Sequence, residues 1–206
     1  HAAAGYGPGG GGPGATGGGG GYGGRGGLAS GGASNGWAYA PLGPGSAGGG
    51  RTASSGKAGS SGGGLVRIEA CGDVTVDGTI TANGADSISY CGSGAGGGIF
   101  IRAASFGGAE YAVLRANGGD RNTGGGAGGG GRIAVWTGAI DETAAGKILA
   151  GQQQTLGVRF SAADSLASFA GTSTALKGDG TADGAEDGTV FFVTVLPSPG
   201  TLLLLR

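Results

Sequence analysis

Three times within residues 62–151 the chain runs from three glycines straight into an alternating apolar segment, at a spacing near 34 residues, and this repetition constrains the fold most. Gly62-Gly63-Gly64 leads into Leu65-Val66-Arg67-Ile68-Glu69, Gly96-Gly97-Gly98 into Ile99-Phe100-Ile101-Arg102, and Gly129-Gly130-Gly131 into Arg132-Ile133-Ala134-Val135-Trp136. A second motif follows each: Thr79-Ile80-Thr81-Ala82-Asn83-Gly84, then Val113-Leu114-Arg115-Ala116-Asn117-Gly118, then Lys147-Ile148-Leu149-Ala150-Gly151. Val66/Ile68, Ile99/Ile101 and Ile133/Val135 alternate with Arg67/Glu69, Phe100/Arg102 and Ala134/Trp136, the period of a strand with one buried face. The expectation is an all-β chain, a Gly-rich parallel β-helix: a solenoid of two-strand repeats whose equivalent residues stack about 4.8 Å apart. Polyproline-II-like Gly-rich segments would accompany it.

Composition narrows the alternatives. The chain has 58 Gly in 206 residues, far above the usual ~7%. No Gly-X-Y register persists, which excludes collagen, and the regularly spaced β-branched runs argue against simple disorder. A net charge of −1 gives no electrostatic reason to bind nucleic acid or an anionic membrane. No apolar run approaches the ~20 residues of a spanning helix. The opening His1, without an initiator Met or a signal peptide, suggests a processed chain or a piece of a longer one.

Three stretches are distinguished: a Gly-rich N-terminal arm over 1–61, the repeats over 62–160, and a cap with closing strands over 161–206. The arm holds 26 of the glycines and reads either as a flexible linker or as extended segments packed closely because nothing projects from them. Tyr6, Tyr22, Trp37 and Tyr39 argue for order within it. In the third stretch Ser161-Ala162-Ala163-Asp164 resembles a capping box, with Leu166 and Phe169 on one face of a short helix ended by Gly171.

Glu69, Arg102 and Trp136 fall at equivalent outward positions, where a salt bridge and a cation–π contact could run up the stack. Asn83 and Asn117 fall at equivalent turns, where Asn tolerates left-handed geometry and side-chain amides can hydrogen-bond in a ladder. Cys71 and Cys91 are expected to form a disulfide, with two free buried thiols as the alternative. Asp179, Asp183 and Asp187 space carboxylates by four along a Gly-rich loop, a pattern a calcium ion can use, although the ligand order is not that of an EF-hand, and a solvated loop is the plainer reading. No other cofactor is expected. With His1 the sole histidine, Ser-His and Cys-His nucleophilic machinery has no internal base, and no glycine run continues into a P-loop lysine. No Thr ladder suited to ice binding forms, and no Asn-x-Ser/Thr sequon occurs.

The phrases Val76-Asp77-Gly78-Thr79-Ile80-Thr81-Ala82-Asn83-Gly84, Gly97-Gly98-Ile99-Phe100-Ile101 and Gly128-Gly129-Gly130-Gly131-Arg132-Ile133-Ala134-Val135, with Asp187-Gly188-Thr189-Val190-Phe191-Phe192 near the end, resemble the Gly-rich β-helical domains of very large secreted or surface proteins of environmental bacteria. The N-terminal glycine runs are more loosely similar to the polyproline-II sandwich of phage tail-tip adhesins. The first resemblance implies an extracellular or cell-surface structural or adhesive module, not an enzyme. It would self-associate or join a surface fibre, with neighbouring domains or surface glycans as partners. A homopolymeric filament subunit is the alternative, and a polysaccharide-binding or polysaccharide-cleaving domain a third. Phe191 and the run Leu202, Leu203, Leu204 and Leu205 are apolar on both alternating faces and are expected to form an assembly interface, since uncovered apolar strands at an open edge invite pairing.

Overall fold

Strand-formers opposite one another across successive repeats build the sheets. The computed structural model describes residues 3–28, 30–52, 56–138, 142–150, 159–180 and 183–196. The strands are β1 (Leu65–Glu69), β2 (Val74–Val76), β3 (Thr79–Thr81), β4 (Gly98–Ala103), β5 (Phe106–Gly108), β6 (Val113–Arg115), β7 (Arg132–Thr137), β8 (Arg159–Ala163), β9 (Thr172–Thr174) and β10 (Thr189–Leu196), with one helix, α1 (Glu142–Leu149), between β7 and β8. They form a five-stranded sheet in the order β1-β4-β7-β10-β8, a three-stranded sheet β3-β6-β9 and a pair β2-β5. In the large sheet Ile99 lies opposite Val66 on one side and Ile133 on the other, and Ile133 in turn lies opposite Val190.

The expected β-helix, a uniform parallel solenoid, is overturned. The large sheet is mixed, because β8 pairs antiparallel with β10, Ser161 opposite Thr194. The repeat is also not sustained: Arg132 on β7 and Thr189 on β10 are register partners and hydrogen-bond across a sequence separation of 57 residues. Within that long connection Lys147-Ile148-Leu149, expected as the third copy of the second strand, lies in α1. Two copies of a motif specify a pairing partner for each other. A third copy degraded to Lys-Ile-Leu-Ala, in a segment that also carries Glu142 and the helix-favouring Ala144-Ala145 pair, does not. The helix expected from Ser161 is absent for the converse reason: Ser161 to Ala163 lie in β8, paired with β10, so tertiary pairing overrides a capping-box pattern.

The central strands β4 and β7 of the large sheet are buried on both faces, whereas β1 is largely exposed. One face, with Ile99, Ile101, Ile133, Val135 and Phe192, packs against Val76, Phe106, Leu114 and Phe169 from the smaller sheets and their flanks. The opposite face carries Phe100, Ala134, Trp136, Val193 and Val195, covered by Ala40 and Ile148 with Trp37 and Leu149. Phe100 and Trp136, expected to face water, are fully buried. Their rings meet edge to face at 5.3 Å, and Trp37 meets Trp136 at 6.4 Å. The cover is local: a segment of the Gly-rich arm and one turn of α1.

Glycine builds the other half of the molecule. Along residues 17–21 successive N–H groups donate to Tyr90, Gly12, Gly27, Ser93 and Gly9, so residues 17 and 20 reach one neighbouring segment, 18 and 21 a second, and 19 a third. A strand bonds in one plane; this segment bonds in three directions. Side chains would stand where those neighbours lie: a Cβ on Gly96 would strike the carbonyl of Ala116, and one on Gly130 the carbonyl of Ala175. The segments over 92–98 and 125–131 sit within this network and continue directly into β4 and β7. The glycines thus set where the strands begin.

Candidate assembly surface and side-chain ladders

Short polar side chains tie the repeats together. The Asn117 N–H donates to Asn83 Oδ1 at 2.9 Å, across 34 residues, and the Leu176 N–H donates to Asn117 Oδ1 at 3.0 Å, across 59. Asp86 and Asp120 repeat the arrangement: Asp86 Oδ1 receives the Asp120 N–H and Asp120 Oδ1 the Asp179 N–H, both at 2.8 Å. The spacing expected for Asn83 and Asn117 is present, but the side chains bond to backbone and not to each other. The chemistry is side-chain carbonyl to backbone amide, and neither Asn is among the described residues with left-handed φ, which are Leu28, Ser89 and Tyr90 apart from glycine. The aspartate ladder went unpredicted, although the shared spacing of Asp86 and Asp120 was in plain view.

On the other column, Arg102 Nε bonds Glu69 Oε2 at 3.0 Å, and Arg67 pairs with Glu69 within β1. Trp136 is Arg102's register partner but stands in the buried aromatic cluster. The expected outward ladder holds in register and not in exposure.

Cys71 and Cys91 are not bridged. Cys71 is exposed just beyond β1, whereas Cys91 is buried among glycine segments, its thiol 3.8 Å from the Lys57 carbonyl. The two ends of the expected bridge lie in different environments, which the separation of 20 residues could not reveal. Asp179, Asp183 and Asp187 do not converge either; among the described residues no group of three candidate ligands could hold a metal ion. Their carboxylates and amides serve the backbone instead. Asp183 accepts from the Ala127 N–H at 2.7 Å and the Ala185 N–H at 3.1 Å, and Asp187 from the Lys177 N–H at 2.9 Å. Phe191 packs on Tyr39 of the same chain at 4.8 Å between ring centroids. Leu202, Leu203, Leu204 and Leu205 lie outside the described residues.

β1, β2 and β3 each stand at the end of their sheet. The Gly78 carbonyl accepts from Val113 and the Ala82 N–H donates to Arg115, so by strand alternation the backbone groups of Thr79 and Thr81 point the other way, off the sheet. The Gly64 carbonyl and Ala70 N–H bond to β4 residues, which turns those of Leu65, Arg67 and Glu69 outward likewise. Among the described residues nothing lies within 4 Å of where a Cβ would stand on Gly64, Gly72 or Gly78. Among the described residues, no strand pairs with the outer edge of β1, β2 or β3.

A cleft of about 390 Å³ lies beside the aromatic cover, lined by Pro8, Tyr22, Trp37, Leu42, Pro44 and Leu149. Burial pushes the Tyr22 phenol above its ordinary range, opposed by the Gly43 N–H and the Arg132 charge, and burial lowers Arg132 in turn. Arg132 is held by the carbonyls of Asn35 and Tyr22 and by Thr189 Oγ1, which fastens the arm to β7 and β10. No family model, curated protein or solved structure matches the chain. Among the described residues no helix is long and apolar enough to cross a membrane.

Proposed function

We propose that the chain is a non-catalytic structural or adhesive module, extracellular or on a cell surface, that self-associates or joins a larger fibre through the open end formed by β1, β2 and β3. The observation that supports this reading most is that β1, β2 and β3 are each the terminal strand of a sheet, with no strand paired on the outer side among the described residues. Open strand edges are templates for pairing with another chain. The commitment of Asn83, Asp86, Asn117, Asp120 and Asp183 to backbone amides supports it further: these side chains hold segments together. A homopolymeric extracellular filament is the limiting case of the same surface.

Light scattering at increasing concentration, with electron microscopy of the assembled material, tests the reading. Leu65→Lys with Thr79→Lys places charge on two of the edges while leaving the bonds to β4 and β6 intact, and the doubly substituted chain is expected to remain monomeric where the parent assembles. A parent chain that is monomeric at high concentration, or a double variant that assembles as the parent does, contradicts it.

A further inference from the structure

A second cleft, of about 320 Å³, opens where β1 and β4 meet α1 and is lined by Arg67, Glu69, Cys71, Arg102, Gly146 and Leu149. Its chemistry is unbalanced. Among the described lining residues Glu69 is the one carboxylate, and two guanidinium groups share it. Arg102 is the unusual member: the residue is 8% exposed, and its Nε is bonded to Glu69. Its two terminal nitrogens have no hydrogen-bond partner among the described residues. Those nitrogens are not among the buried side-chain atoms left without a partner, so they reach the cleft and remain available as charged donors to an incoming anion.

We propose that this cleft binds the carboxylate of an acidic sugar. The planar, two-pronged donor face of an arginine matches a carboxylate in bidentate geometry. Arg67, half-exposed at the rim, adds a second positive group, and Glu69 between them offers an acceptor for a ring hydroxyl. Leu149, Ala70 and Ala145 supply an apolar wall for the C–H face of a sugar ring, which an inorganic anion would not use. The volume lies at the small end of the usual range for ligand clefts, suited to one sugar residue and not to a long buried chain. Gly146 leaves the entrance clear, with nothing among the described residues within 4 Å of where its Cβ would stand. The choice of a glycan acid rests on the adhesive reading above, whereas the anion preference rests on Arg67 and Arg102 alone.

The test is titration of the full chain with glucuronate, glucose and inorganic sulfate, followed by calorimetry and amide chemical shifts. Glucuronate is expected to bind, to shift the amides of residues 67–71 and 145–149, and to bind more tightly than glucose or sulfate by about tenfold or more. Gly146→Leu, which fills the entrance without touching either arginine, should weaken binding by a similar factor while leaving melting unchanged or raised, since Gly inside a helix is replaced by a better helix former. Arg102→Gln should abolish it, with folding checked by the same spectra. No glucuronate binding, glucose binding as tightly, sulfate binding as tightly, or full affinity in Gly146→Leu each overturns the proposal. A chain that assembles but does not bind glucuronate fails here alone, and one that binds while staying monomeric fails only the assembly reading.

Discussion

The strand layer and the glycine layer of this molecule solve the same problem by opposite means. In the strands, backbone bonding lies in one plane and leaves both faces free for side chains, so Ile99, Phe100, Ile101 and Trp136 can all be buried on one side or the other. In residues 17–21 the backbone bonds in three directions and no room remains for any side chain. Hydrophobic burial stabilises the first; closely packed backbone hydrogen bonds, bearing a large cost in chain entropy, hold the second. The lesson is that a run of glycines specifies structure where its neighbours are other glycines. Absence of a side chain is then a steric requirement.

The largest expected effect is on the strand side. Ile101→Asp places a charge where the residue is fully buried and should prevent folding, with loss of dichroism and of cooperative melting. Phe100→Ser, which the alternating pattern alone would place harmlessly outside, should cost about 3 to 5 kcal/mol because that ring is buried against Trp136. Chemical denaturation separates the two cases, and a Phe100 variant as stable as the parent would restore a one-faced sheet.

Gly96→Ala comes next. In a linker this change would stabilise by stiffening the unfolded chain, but here the new methyl meets the Ala116 carbonyl and the expected loss is about 1 to 3 kcal/mol in the same denaturation assay. A gain would erase the difference between the layers. Asn117→Ala removes one rung, the acceptor for the Leu176 N–H, and should cost about 1 kcal/mol, since the site is exposed and water can partly replace the bond.

The smallest effect concerns the thiols. Reductant should leave the melting temperature unchanged, and alkylation of the native protein should label Cys71 while Cys91 reacts only after unfolding. Intact mass after each step reads the outcome, and a chain two hydrogens lighter with no reactive thiol would place a bridge back between them.

How far these features could be read in advance depended on whether the deciding partner lay near in sequence. Register was legible: the Val66, Ile99 and Ile133 column and the Asn83 to Asn117 rung follow from a repeat that stays close to 34 residues. What covers each face was not. Phe100 and Trp136 alternate as outward residues should, and the segment that buries them, around Trp37 and Ala40, comes from the stretch whose composition looked least structured. The insertion between β7 and β10 was similarly hidden, because only the degraded third motif signalled it and α1 replaced the strand there. Of the candidate sites, the acidic loop misled because carboxylates at regular spacing suit a cation and equally suit backbone amides. Three-dimensional placement chose the amides of Ala127, Lys177 and Ala185.

The claim that the glycine segments are structural partners of the strands is tested most directly by native-state hydrogen exchange resolved at single amides. The amides of Gly18, Gly96 and Gly128, bonded to Gly12, Gly129 and Gly119, are predicted to exchange as slowly as those of Ile101 and Val135, through opening of the whole fold. Exchange of the glycine amides at the rate of an unstructured chain, while the strand amides stay protected, would contradict it.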